Sequence, residues 1–165
     1  MTTRYASRCL ESWSPVSDRI ITARFHSKHI KTTIAQVYAP TNEAADEAKE
    51  TYAKLQKVLD AVPRHDMLLV MGDWNAKVGA RQEGENGIVG KHGLICERND
   101  NGDRFVSYCA CNNLAITSTM FAIRMCTSIH GPPQMVSTGI RSTTWQSGPS
   151  LRGQCKTRGC TDELM

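Results

Sequence analysis

A carboxylate and a carboxamide follow a short apolar run of this chain, two positions apart. The run LLVMG at 68–72 precedes Asp73, and Trp74 separates Asp73 from Asn75. A buried strand ending here would place Asp73 and Asn75 at the carboxyl edge of a sheet, where ligands bind in open α/β proteins. Asp can accept a proton or hold a water molecule, and Asn can donate to a phosphoryl oxygen without adding charge. The pair therefore suits the chemistry of phosphate esters.

The same two residues allow two other interpretations. Gly, Asp and Asn are common in turns, so Asp73 and Asn75 alone could be turn residues at the end of a strand. The spacing of Asp73 and Asn75 also begins like a calcium-binding loop. Lys77 occupies the next ligand position, however, and no glycine follows it, which argues against a calcium site.

The composition sets loose limits on function. The chain of 165 residues has room for one domain with a core, and its net charge of +4 permits contact with nucleic acid without demanding it. The seven cysteines have an irregular spacing that matches no zinc motif. The sequence shows no leader-like apolar segment and no apolar run of membrane-spanning length. We therefore expect an intracellular protein, nuclear or cytoplasmic, without membrane contact.

Alternating strand and helix patterns surround the Asp73 run. Strands are predicted at 19–25, 32–38, 67–71 and 114–117. The unbroken apolar character of the third strand indicates burial on both of its faces. An apolar stripe predicts a helix at 42–62. A long polar surface loop is expected at 77–101, and a short helix, capped at 101–103, is predicted to follow it through 111. This order predicts a mixed α/β sheet.

Several runs, in one order and spacing, resemble the endonuclease/exonuclease/phosphatase superfamily. They cover roughly residues 10–121 and are SWSPVSDRII at 12–21, VYAPTN at 37–42, MGDWNAKVG at 71–79, NG at 101–102 and NNLAI at 112–116, with Thr119 and Phe121. Within the superfamily, the runs resemble in particular the endonuclease domain of RTE-like LINE retrotransposons and the host proteins called craniofacial development protein 2.

The resemblance implies a partial two-sheet α/β sandwich and Mg²⁺-assisted cleavage of phosphodiester bonds, with the phosphate backbone of DNA as partner. It implies that Asp73 orients or deprotonates the attacking water and that Asn75 hydrogen-bonds the scissile phosphate. Tyr38, which alone would be interpreted as a packed strand aromatic, would contact that phosphate through its hydroxyl. A cation and neutral donors would stabilise the negative charge of the transition state.

The sequence departs from the family in two parts of the site. The family's magnesium ligand is a glutamate in a Leu-Gln-Glu-Thr type run that nothing here matches, and Glu11 lacks that context. The Asp-His pair of the family's Ser-Asp-His run is also missing. We therefore assign no metal ligand and expect a catalytically impaired fragment of a DNA endonuclease-like phosphodiesterase. The alternative is a non-catalytic module that binds nucleic acid or protein.

Three segments are expected along the chain. They are an N-terminal remnant at 1–17, an incomplete endonuclease-like domain at 18–121 and an irregular tail at 122–165. The tail is rich in Ser, Thr, Gly and Pro and lacks periodicity. Back-translation of residues 122–144 allows a second reading frame with a family-like Ile-Asp-His run. We interpret the tail as out-of-frame peptide and the family domain as truncated at both ends.

Overall fold

The computed structural model of the chain describes residues 4–41, 44–122 and 136–141. In chain order its elements are α1 Arg4–Cys9, β1 Leu10–Ser17, β2 Ile20–His26, β3 Lys31–Tyr38, α2 Ala45–Ala61, β4 Met67–Asp73, α3 Asp100–Asn112, β5 Ala115–Ile116, a 3-10 turn Thr117–Thr119 and β6 Val136–Arg141. Within these ranges, no helix combines the length and the apolar character that a membrane span requires.

The strands form one mixed sheet in the order β1-β2-β3-β4-β6-β5. The neighbours β3 and β4 are parallel and are connected through α2, whereas the other neighbouring pairs are antiparallel. The prediction of a mixed α/β fold is confirmed. The second sheet of the implied sandwich is not found in the part of the chain that the structure describes, because every strand there is hydrogen-bonded into the same sheet.

The helices cover one face of the sheet. Alternate residues of β3 and β4 are buried on that face and join one core cluster with the apolar stripe of α2 and with α3; among them are Ala35, Val37, Leu68, Val70, Leu55, Leu59, Phe105 and Val106. The other face is less covered, since Leu69 and Met71 are only half-buried and Ile21 is exposed. The apolar run at 67–71, which predicts burial on both faces of β4, is thus fully buried on only one face.

Two strands lie outside the segments in which strands are predicted. Residues 10–17 belong to the predicted N-terminal remnant, yet β1 pairs with β2 along its length. Pro15 and several polar residues disrupt the strand pattern in the sequence, but an edge strand tolerates both proline and polar residues. Residues 136–141 belong to the predicted irregular tail, yet β6 pairs with β4 and β5. Its alternating β-branched residues suit a strand, and the remainder of the segment after 122 lies outside the described residues.

The segment between β4 and α3 is a long loop, as predicted, but it is not confined to the surface. Val78, Ile88 and Val89 are buried and belong to the core cluster. Arg98 holds the loop together, since its Nε donates to the carbonyl of Val78 at 2.6 Å and its guanidinium pairs with Glu85. The few apolar residues of this polar segment therefore anchor it against the domain.

A buried carboxylate lies at the end of the sheet opposite Asp73. Asp66 accepts hydrogen bonds from Arg24 at 2.7 and 3.1 Å and from the hydroxyl of Thr33 at 3.1 Å. The Arg24 hydrogen bond lowers the pKa of Asp66, and this outweighs the opposing effect of burial. Glu11, whose carboxylate lies 3.3 Å from Arg24, belongs to this same end. Glu11 is thus separated from Asp73 by the length of β4.

We expect acid to weaken the fold through Asp66. A carboxylate with a lowered folded pKa contributes its full stability above its unfolded value of 3.8 and loses it as the pH falls through the folded pKa. Between about pH 6 and about pH 2 the free energy of unfolding should therefore fall more in the wild type than in Asp66→Asn. Urea unfolding across this range measures the difference, with the exposed Asp18→Asn as a control that should follow the wild type. Parallel curves for the wild type and Asp66→Asn would contradict the assignment.

Candidate phosphate-binding site

Tyr38 and Asp73 are the last residues of two parallel neighbouring strands. The register of β3 and β4 pairs them directly, so their side chains lie on the same face of the sheet. The backbone N–H of Ala39 donates to the carbonyl of Asp73 at 2.8 Å and extends the ladder past the strand ends. Tyr38 is 54% exposed and Asp73 is half-buried. The structure therefore brings together two of the three residues that the sequence singles out, at an accessible edge.

Asn75 closes the turn that follows Asp73. Its backbone has a positive φ of 47°, a left-handed conformation that Asn adopts more readily than most residues. Its N–H donates to Oδ1 of Asp73 at 3.0 Å, and its side-chain Nδ2 donates to the carbonyl of Ala39 at 2.8 Å. An amide group carries two hydrogens, so one of them can still donate to a ligand. Asn75 thus has a structural role beside the predicted chemical one.

Side chains at the N-terminus of α3 donate hydrogen bonds to this turn. The carbonyl of Asn75 accepts hydrogen bonds from the side chains of Asn99 at 3.2 Å and Asn101 at 3.4 Å. The buried Asn101 also donates to the carbonyl of Pro40 at 3.0 Å and so connects both strand ends. The sequence places the helix cap at 101–103, whereas the structure places it at Asn99, which accepts from the N–H of Gly102. Asn101 does not cap the helix, because α3 begins one residue before it, at Asp100.

Magnesium would need several oxygen ligands at this edge. Within residues 4–41, 44–122 and 136–141, no three His, Cys, Asp or Glu side chains are close enough to hold a metal ion. Asp73 already accepts one hydrogen bond from the backbone, and Glu11 lies at the opposite end of the sheet. At this edge the described residues thus supply the carboxylate of Asp73, whereas Glu11 is too far away to serve as the glutamate of the centre that the resemblance implies.

Arg19 adds a positive charge to the edge, and the sequence marks it only as one letter of the run SWSPVSDRII. Its guanidinium carbon lies 5.6 Å from the centroid of the Tyr38 ring, and its carbonyl accepts the Tyr38 N–H at 2.9 Å. Its Nη2 lies 2.9 Å from Oε2 of Glu47, in the first turn of α2. Its place directly before β2 becomes informative only once the antiparallel pairing of β2 with β3 is known, since that pairing brings the start of β2 beside the end of β3.

Two curated proteins are similar to this chain. Craniofacial development protein 2 of Bos taurus is 42% identical over 106 residues, which cover 64% of this chain and 17% of that protein. Craniofacial development protein 2 of Tragulus javanicus is 41% identical over 106 residues, which cover 64% of this chain and 18% of that protein. The chain thus spans less than a fifth of the length of these relatives. The likeness to craniofacial development protein 2 that the sequence runs predict is confirmed.

The other comparisons add a structural neighbour but no family model. The endonuclease domain of TRAS1, a telomere-specific non-LTR retrotransposon, has a TM-score of 0.47 and 14% sequence identity with this chain, and the match covers 79% of this chain and 54% of that one. No protein-family model matches the chain.

Proposed function

We propose that this relative of craniofacial development protein 2 is part of a DNA endonuclease-like phosphodiesterase domain that binds a nucleic-acid phosphodiester and cleaves it weakly or not at all. The observation that carries the proposal is the parallel register that pairs Tyr38 with Asp73, with Asn75 in the turn directly after them. The phosphodiesterase class comes from the resemblance of the sequence runs to the endonuclease/exonuclease/phosphatase superfamily.

Each residue has a distinct part in the proposed site. The Tyr38 hydroxyl and the second amide hydrogen of Asn75 donate to phosphate oxygens, because both are neutral donors. Asp73 accepts a proton from a water molecule beside the phosphate. Its negative charge repels the phosphate, and in the family a magnesium ion offsets that repulsion and stabilises the transition state. Since nothing in the sequence matches the family's glutamate ligand or its Asp-His pair, the proposal assigns binding to this chain and little cleavage.

The test separates binding from cleavage. Supercoiled plasmid incubated with the protein and magnesium measures nicking, and fluorescence anisotropy of a short labelled DNA duplex measures affinity. We expect nicking close to that of an EDTA control, with measurable binding that weakens as salt increases. Robust nicking that Asp73→Ala abolishes would contradict the loss of catalysis. The lack of both nicking and binding would contradict the proposal as a whole.

Two variants that preserve shape test the site itself. Tyr38→Phe removes only a hydroxyl from an exposed ring, and we expect it to weaken DNA binding about tenfold, since a hydrogen bond to a charged group contributes about 1.5 kcal/mol. Asp73→Asn keeps an oxygen for the N–H of Asn75 but removes the repulsive charge. Its affinity should equal or exceed that of the wild type. Equal affinity for the wild type and Tyr38→Phe would show that the duplex binds elsewhere.

A further inference from the structure

We propose that Arg19 is a further phosphate-binding residue of this edge and that Glu47 competes with the nucleic acid for it. The inference rests on the proposed function of the Tyr38 edge and identifies the side chain that supplies positive charge there. It also identifies a carboxylate of the same chain that limits the affinity.

The backbone holds Arg19 in register with Tyr38. The Tyr38 N–H donates to the carbonyl of Arg19 at 2.9 Å, one residue before β2 begins. The guanidinium lies 5.6 Å from the centroid of the Tyr38 ring, within the range of a cation–π contact. A ligand that reaches the hydroxyl of this exposed ring therefore lies within reach of the Arg19 fork, which matches a phosphate with two parallel hydrogen bonds.

The charge of the edge requires a cation if a phosphodiester is to bind. Asp73 contributes a carboxylate beside Tyr38, and the described residues form no cluster that could hold a metal ion. Without Arg19, the approaching phosphate would meet a negative charge and neutral donors. Once Glu47 has released it, the Arg19 guanidinium offsets the carboxylate at the same strand ends and adds charge-assisted donors to those of Tyr38 and Asn75.

Glu47 is placed to release Arg19 at low cost. The two side chains are 2.9 Å apart, but that of Glu47 is 60% exposed, and an exposed ion pair contributes little because water screens it. Glu47 lies in the first turn of α2, where the helix dipole favours a negative charge even when Arg19 has left. A phosphate that offers two charge-assisted hydrogen bonds can therefore displace the carboxylate from Arg19.

The experiment measures the affinity for a short labelled DNA duplex over a series of salt concentrations. We expect Arg19→Ala to weaken binding about fivefold to tenfold and to reduce the salt slope by about one, since one phosphate contact is lost. Arg19→Lys should retain only part of the affinity, because a lysine lacks the planar fork. Glu47→Gln should tighten binding about twofold to fivefold, because it frees Arg19 from its ion pair. Arg64→Ala, an exposed arginine near the Asp66 end of the sheet, is the matched control and should bind like the wild type.

The outcomes separate this inference from the function on which it rests. A wild type that does not bind the duplex overturns both. Binding that Tyr38→Phe weakens but Arg19→Ala does not overturns the role of Arg19 alone. Equal losses in Arg19→Ala and Arg64→Ala also overturn it, because they indicate only a general effect of charge. If circular dichroism shows that Arg19→Ala is unfolded, the affinity of Glu47→Gln for the duplex becomes the deciding measurement. An affinity equal to that of the wild type would then contradict the competition between Glu47 and the nucleic acid for Arg19.

Discussion

Replacing Trp74 with alanine is expected to lower the free energy of unfolding by about 3–5 kcal/mol. Trp74 is 1% exposed, and its ring lies 4.3 Å from that of Phe105 and 5.8 Å from that of Tyr52, measured between centroids. Phe105 belongs to α3 and Tyr52 to α2, so the indole connects both helices at the end of β4. Alanine would leave a cavity among these rings, which relax only partially to fill it.

Urea unfolding followed by circular dichroism measures this loss. Trp13→Ala is the matched control, since Trp13 lies on β1 and is 62% exposed, and its effect should stay within about 0.5 kcal/mol. A domain of this size has a total stability of about 5–15 kcal/mol, so Trp74→Ala can be largely unfolded. Trp74→Phe, which keeps an aromatic ring in place, should then retain a measurable transition. Similar losses at Trp13 and Trp74 would contradict the packing argument.

The position of Trp74 also explains why the site and the core depend on each other. Asp73 and Asn75 flank it in the sequence and lie at the accessible edge, while the side chain between them enters the core. Any shift of the indole therefore moves both candidate residues. We expect DNA binding by core variants at Trp74 to fall together with their stability.

Replacing Gly72 with alanine is expected to be comparably severe, with a loss of several kcal/mol or no folded protein. Gly72 has a φ of +148°, and a Cβ atom there would lie 1.8 Å from the carbonyl oxygen of Val37, which is backbone and cannot rotate away. Val37 directly precedes Tyr38. To admit a methyl group, β3 and β4 would have to separate where Tyr38 pairs with Asp73.

Gly84→Ala is the control that separates crowding from backbone strain. Gly84 also has a positive φ, of +87°, but a Cβ atom there would meet nothing within 4 Å. We expect it to lose only the strain term, about 1 kcal/mol. Soluble yield and the urea midpoint of both variants give the comparison. Equal midpoints for Gly72→Ala and Gly84→Ala would show that the strands adjust to the methyl group, and that the glycine before Asp73 is not needed for close approach.

Local patterns in the sequence predict most of the elements that position the candidate site. The β-branched runs of β2 and β3, the apolar run of β4 and the stripe of α2 all encode their structure within a few residues, and the structure has each of them close to the predicted bounds. The sequence does not predict the pairing of Tyr38 with Asp73, because that pairing depends on the parallel register of β3 and β4 and the predicted third strand ends at 71. The chemical roles of Tyr38, Asp73 and Asn75 remain predictions.

Tertiary structure alone decided the features that depend on partners distant in the sequence. The strands β1 and β6 form where β2 and β4 provide backbone partners, and the polar sequence of β1 carries no strand pattern of its own. The bond from Asn101 to Pro40 joins residues 61 positions apart, and the contact of Arg19 with Tyr38 depends on the register of two strands. The sequence by itself therefore determined which residues could carry chemistry, through their types and local spacing. Only the fold decided which of them share an edge, because register and crossover bring them together.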